Sequence, residues 1–173
     1  GSNTYTDLIP GVSITFAETS EADGPITFTV ANDVSATQEK VQTFVDAYNT
    51  LVDTLDSLTT FGSNGQPAGP FAGDAGISSL ERQIQSITHA TYNGVSMLDY
   101  GIALDADGHL QIDSEQFSAA MAENPAGLTS LFVGDDSMTA QLDSVMETWL
   151  DDNSGIIVQR QNAVEEEHDK LVR

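Results

Sequence analysis

Between residues 41 and 58 the apolar side chains Val41, Phe44, Val45, Tyr48, Val52, Leu55 and Leu58 recur at steps of three and four. That spacing holds them on one stripe of an α-helix for about five turns, and such a stripe is stable only against other apolar surface. A chain that contains it has to build a helical body around it. Ser35 precedes the stripe and Gln38 follows three residues on, which predicts a capping box at the helix start.

The rest of the body follows from similar patterns. Gly62 to Gly69 is rich in Gly, Ser, Asn and Pro and predicts a loop, after which Asp74 is placed to cap a helix with the stripe Ile77, Leu80, Ile84 and Ile87. Ile102 and Leu104, then Leu110 and Ile112, flank Asp105-Ala106-Asp107-Gly108, so residues 102–112 predict a β-hairpin. Ser114, Phe117, Ala120 and Met121 predict a short helix stopped at Asn124-Pro125. Leu128, Leu131 and Phe132 form a further apolar turn, and a helix over roughly Met138 to Leu150 turns Leu142, Val145, Met146 and Trp149 inward. Beyond the break at Gly155, Ile157, Val164 and Leu171 stand at intervals of seven, with Gln161 and His168 at the alternate heptad positions. This is half a coiled-coil seam. Glu166 and Lys170 stand in the helix-favouring order, and no stop signal precedes Arg173, so the last helix is expected to be truncated there. Ile157, Val164 and Leu171 are therefore the candidate oligomer seam, the alternative being that they pack back on the body.

The N-terminal part reads differently. Gly1-Ser2 has the look of a tag remnant. Val12, Ile14 and Phe16 alternate with Ser13 and Thr15, while Ile26, Phe28 and Val30 alternate with Thr27 and Thr29, and Asp23-Gly24-Pro25 supplies a turn between them. Period two with β-branched and aromatic residues predicts a two-stranded ribbon, which is marginal alone. The expected fold class is α+β: a mainly helical body, residues 34–173, with a packed hairpin, and a β-ribbon, residues 3–33, from a second, truncated domain.

Composition narrows the function. Five Lys and Arg stand against 27 Asp and Glu, a net charge of −22 spread along the chain. Nucleic acid and anionic membrane surfaces carry the same sign, so neither is an expected partner. No apolar run is long enough to span a bilayer and no basic-then-apolar leader is present. The absence of cysteine removes disulfides, thiolate metal sites and thiol nucleophiles.

Catalytic and metal-binding patterns are equally scarce. Asp105 to Asp113 resembles the start of a calcium loop, but its sixth position is Leu110 and its twelfth Gln116, where Gly and a bidentate Glu are required. His89, His109 and His168 lack zinc-type spacing, and neither a phosphate-binding glycine loop nor a nucleophile elbow occurs. Phe44, Tyr48 and Trp149 sit at core spacing. No enzyme, cofactor, metal or catalytic residue is expected.

Several segments together do resemble a known family. Asp7-Leu8-Ile9-Pro10-Gly11-Val12-Ser13-Ile14-Thr15-Phe16, then Phe44-Val45-Asp46-Ala47-Tyr48-Asn49, Phe71-Ala72-Gly73-Asp74, Gly101 to Leu110, Asn124-Pro125, Leu131-Phe132 and Gly155-Ile156-Ile157 are similar, in order, to flagellar hook-associated protein 2, the filament cap. The signature residues are Phe44, Val45, Ala47, Tyr48 and Asn49. The resemblance implies export through the flagellar channel, an extracellular place at the filament tip, a ring-like homo-oligomer and guidance of flagellin into the filament, with flagellin, further copies and neighbouring hook-associated proteins as partners. It also implies that residues 3–33 are the remnant of a head domain, that residues 34–173 lie next to helical legs, and that the legs and most of the head are missing. Another axial protein of the hook–filament junction, or a surface adhesin domain, is the alternative.

Overall fold

The computed structural model describes residues 4–9, 12–15, 33–62 and 67–172. The chain divides into two compact units, residues 1–31 and 32–173. In the first, β1 (Thr4–Ile9) pairs antiparallel with β2 (Val12–Thr15), in the register Thr4 to Thr15, Tyr5 to Ile14, Thr6 to Ser13 and Ile9 to Val12, with an irregularity between Thr6 and Ile9. The expected partner strand, Ile26 to Val30, lies outside the described residues. The described partner is the preceding segment, whose apolar residues do not alternate cleanly and so carried no strand signal.

The second unit is helical with one hairpin, as expected. Helix α1 (Val34–Thr59) begins two residues earlier than the capping box predicts: Asp33 is the N-cap, its carboxylate accepting the Ala36 N–H at 2.9 Å. Ser35 is already inside the helix, and Gln38 instead donates to the Ser114 hydroxyl at 2.7 Å. A carboxylate at the helix start also meets the positive end of the helix dipole, which favours Asp33 over the serine. Val41, Val45, Tyr48 and Leu55 are buried, with Phe44 and Val52 packed at the edge of the same core. Ala47 is exposed, so of the five signature residues it is the one that faces water.

Asp74 caps α2 (Ala75–His89) as predicted, accepting from the Gly76 and Ile77 N–H groups, and α2 buries Ile77, Leu80, Ile84 and Thr88. A short 3-10 turn, Met97–Tyr100, leads to β3 (Ile102–Leu104) and β4 (Leu110–Ile112), paired antiparallel from Ile102–Ile112 to Leu104–Leu110. Gly101 joins turn and strand at φ 68°, where a side chain would be strained and its Cβ would fall 2.7 Å from Cβ of Gln116. Three helices then follow: α3 (Ser114–Glu123), α4 (Pro125–Phe132) and α5 (Met138–Leu150), capped by Asp113, Asn124 and Ser137. Asn124-Pro125 thus ends one helix and starts the next, because proline cannot continue α3 but suits the first turn of α4. The last helix is α6 (Ile156–Leu171).

The core gathers Tyr100, Phe117, Ile84, Ile102, Leu110, Leu131 and Met138, all nearly inaccessible, around the inner face of α1. Phe44 meets Phe132 edge to face at 5.3 Å between ring centroids. The Tyr100 hydroxyl donates to the Asn124 carbonyl, tying the 3-10 turn to the α3–α4 junction. The stripe on α1 is thus the wall against which hairpin and short helices pack.

Candidate functional site

Two arrangements stand out in the helical unit. The first is a polar clasp between α1 and the hairpin. Asn49, half-buried on α1, donates from Nδ2 to the Leu110 carbonyl at 3.0 Å and accepts the Leu110 N–H at Oδ1 at 2.8 Å. One amide side chain thereby satisfies both backbone groups of a residue only 1% exposed. Nearby, His109 Nε2 lies 2.9 Å from Asp53 Oδ1 and Nδ1 lies 3.9 Å from Asp105 Oδ1. The hydrogen bond to Asp53 raises the His109 pKa; burial opposes it, and the charges of Asp53, Asp105 and Asp107 add to the rise.

The Asp105 carboxylate is occupied by protein donors. Oδ1 accepts the N–H groups of Asp107 and His109, and Oδ2 accepts Gln111 Nε2. These bonds, the His109 N–H first, hold its pKa below the ordinary range. The motif is an Asx-turn that shapes the hairpin. Among the described residues there is no cluster of three or more His, Asp or Glu placed to hold a metal.

The second arrangement is a cleft of about 740 Å³ between α1, α2, α5 and α6. Its floor includes Leu55, Leu80 and Trp149, and its rim Phe71, Leu150, Ile157 and Val164. Of its fourteen lining residues eleven are apolar, the others being Arg160, Gln161 and Glu165. Arg160 binds Asp74 Oδ2 through Nη1 at 2.9 Å and lies 5.8 Å from the Trp149 ring centroid. It fastens α6 to the start of α2 while covering the indole. Gly76 makes this possible, since a Cβ there would collide with the guanidinium. The Ile77 N–H first, and Arg160 next, lower the Asp74 pKa.

The residues singled out from sequence divide between these places. Phe44, Val45 and Tyr48 belong to the core, Asn49 to the clasp, and Ala47 faces outward. The Tyr48 hydroxyl is buried without a hydrogen bond of good geometry; the Thr88 hydroxyl nearby is spent on the Ile84 and Gln85 carbonyls. Burial raises its pKa, and the proximity of Thr88 opposes this only in part. Ile157 and Val164 line the cleft, whereas Leu171 is 82% exposed and does not. No residue of α6 is buried. Sequence reading missed Phe71, Leu150 and Arg160 as cleft residues; Arg160 is one of only five Lys and Arg in the chain, but it carries no signal without knowing that Asp74 faces it.

Comparison with known proteins places this fold. The family described as flagellar hook-associated protein 2 C-terminus matches residues 1–173. The lateral flagellar hook-associated protein 2 of Vibrio parahaemolyticus is 36% identical over 172 residues, covering 98% of this chain and 38% of the relative. The flagellar hook-associated protein 2 of Helicobacter pylori strain J99 is 33% identical over 139 residues, covering 78% of this chain and 20% of the relative. The crystal structure of the flagellar cap protein FliD D1-D2-D3 domains from Escherichia coli superimposes with a TM-score of 0.73 at 28% identity, over 94% of this chain and 45% of that one. The chain thus spans less than half the length of each of these relatives. With its whole length matched and its helical body and hairpin found in a solved relative, the chain belongs to the flagellar hook-associated protein 2 family.

Proposed function

We propose that this chain is a structural module of a flagellar filament cap, seated extracellularly at the filament tip, where the whole protein forms a ring and guides flagellin into the growing filament. The observation that supports this reading is the family match over residues 1–173, together with the fold shared with the Escherichia coli cap protein. Flagellin, further copies of the protein and neighbouring hook-associated proteins are the partners under this reading. The role is non-catalytic: the strongest polar arrangements, the Asn49 clasp and the Asp105 turn, spend their donors and acceptors on the protein's own backbone. A charge of −22 disfavours nucleic acid and anionic membranes as further partners.

A chimera tests the proposal. In the Vibrio parahaemolyticus lateral protein, the matched 172-residue segment is replaced by this one. Restored lateral filaments under electron microscopy, with little flagellin free in the medium, are expected. A chimera that is exported and folded, yet leaves flagellin unpolymerised, would refute the assignment of cap function to this chain.

A further inference from the structure

The link between α2 and the 3-10 turn is a labile dipeptide held in a closed form. The N–H groups of Tyr92 and Val95 each donate to the other's carbonyl, at 2.7 and 3.0 Å, and Asn93 and Gly94 between them have φ of 51° and 81°. That is the two-residue type I′ turn, which favours Asn-Gly because both central residues are left-handed. The same pair is prone to lose the asparagine amide. A glycine nitrogen has no side chain beside it to obstruct attack on the asparagine Cγ.

Among the described asparagines, Asn93 alone combines that neighbour with open access. Asn49 spends its amide on Leu110. Asn124 precedes Pro125, which has no N–H to react. Asn153 precedes Ser154, whose N–H donates to the Asp151 carboxylate at 2.6 Å. Asn162 and Ala163 lie within α6, where the N–H groups are bonded along the helix. Asn93 is exposed, and the Gly94 N–H has no backbone partner among the described residues. Nothing stands within 4 Å of where a Gly94 Cβ would be.

We propose that Asn93 is a site of spontaneous deamidation whose rate is set by opening of the Tyr92–Val95 turn. In the open turn the Gly94 nitrogen adds to the Asn93 Cγ, its proton leaves with the side-chain nitrogen as ammonia, and a five-membered imide forms. Water then opens the imide. Addition at Cγ breaks the new Cγ–N bond and gives aspartate; addition at the backbone carbonyl breaks the original peptide C–N bond and gives isoaspartate. The closed turn slows the first step: the first central residue of a type I′ turn has ψ of about 30°, which turns the next nitrogen away from its side chain. Isoaspartate adds a carbon to the backbone of a two-residue loop, and either product adds a negative charge to a chain already at −22. The loop is anchored by Tyr92, 4% exposed, whose hydroxyl donates to the Ile87 carbonyl at 2.9 Å, so the product loosens the end of α2.

Trypsin separates the two Asn-Gly pairs, since Lys40, Arg82 and Arg160 bound a peptide over 41–82, with Asn64, and one over 83–160, with Asn93. The folded chain and the chain in urea are incubated at one mildly alkaline pH and one temperature, and the 83–160 peptide is followed by mass and isoaspartate content. Asn93→Gly removes the amide, keeps a turn-compatible residue and serves as the blank. The native folded chain is expected to gain one mass unit with isoaspartate, the blank is not, and conversion should run roughly ten- to hundredfold faster in urea, because the folded chain reacts through its open fraction. The modified fraction, separated by charge, should melt below the unmodified one. A folded chain still unmodified after more than about a hundred half-times of the urea sample would remove the site. Equal rates in the two states would remove the gating by the turn, and equal melting of the two fractions would remove its consequence for α2.

Discussion

Replacing Asn49 tests how the hairpin is held to the helical body. Its side chain satisfies both the N–H and the C=O of Leu110, at 2.8 and 3.0 Å, and bridges segments 61 residues apart. Leu110 is 1% exposed, so bulk water cannot take over those bonds in the folded state. A buried backbone group left without a partner costs about 1–3 kcal/mol. Two such groups set the loss for Asn49→Ala at roughly 2–4 kcal/mol, allowing for a water molecule that enters the space vacated. For a unit of this size each kcal/mol lowers the midpoint by roughly 2–4 °C, so a fall of about 5–15 °C is expected. Asn49→Leu fills the space with carbon and admits no water, so it should be no milder than alanine. Asn49→Asp can accept from the N–H but cannot donate to the carbonyl, and should also lose stability. Thr50→Ala, next along the helix and exposed, is the control, with a change within about 0.5 kcal/mol. Denaturant unfolding gives the free energies, and amide exchange at Leu110 gives the local effect. A loss below about 0.5 kcal/mol for Asn49→Ala, with Leu110 exchange unaltered, would refute the clasp.

Tyr48→Ala should cost roughly 3–5 kcal/mol in denaturant unfolding, as for other buried aromatics, whereas Tyr48→Phe should be neutral or stabilising because the buried hydroxyl makes no good hydrogen bond. His109 has a raised folded pKa, so its contribution is fully present below its ordinary value near 6.5 and is lost as pH rises through the higher folded value. The stability difference between the native chain and His109→Gln should therefore shrink from mildly acidic to mildly alkaline pH, and a difference that grows over that range would reverse the assignment. Chelator should leave the thermal midpoint unchanged, because the Asp105 oxygens already accept three protein donors; a calcium-dependent rise abolished by Asp107→Asn would show otherwise. Gly127→Ala should destabilise by about 1–3 kcal/mol in the same unfolding assay, since its Cβ would press on the Tyr100 hydroxyl and the Asn124 side chain.

Local periodicity determined the helices and the second hairpin from sequence alone. The α1 stripe, the Asp74 cap and the Asp105 to Gly108 turn are written in residues close together along the chain, and helix and turn formation depend on such neighbours. The choice of Asp33 over Ser35 as the first cap was beyond that reading, because both are good caps and only the backbone path between them selects one. Ala47 sits in the signature but faces water, a matter of which side of α1 the rest of the fold covers. The sequence marks Asn49 as a residue of interest, yet only tertiary packing brings Leu110 to it. The cleft is still less legible: its walls come from four helices, and Ile157 and Val164 are apolar in any reading. That they line an open groove with Trp149 and Arg160, instead of closing a core, follows from where α5 and α6 cross α1 and α2. Neighbours along the chain specify elements, but the exposure of a face depends on what is left over once distant elements have packed.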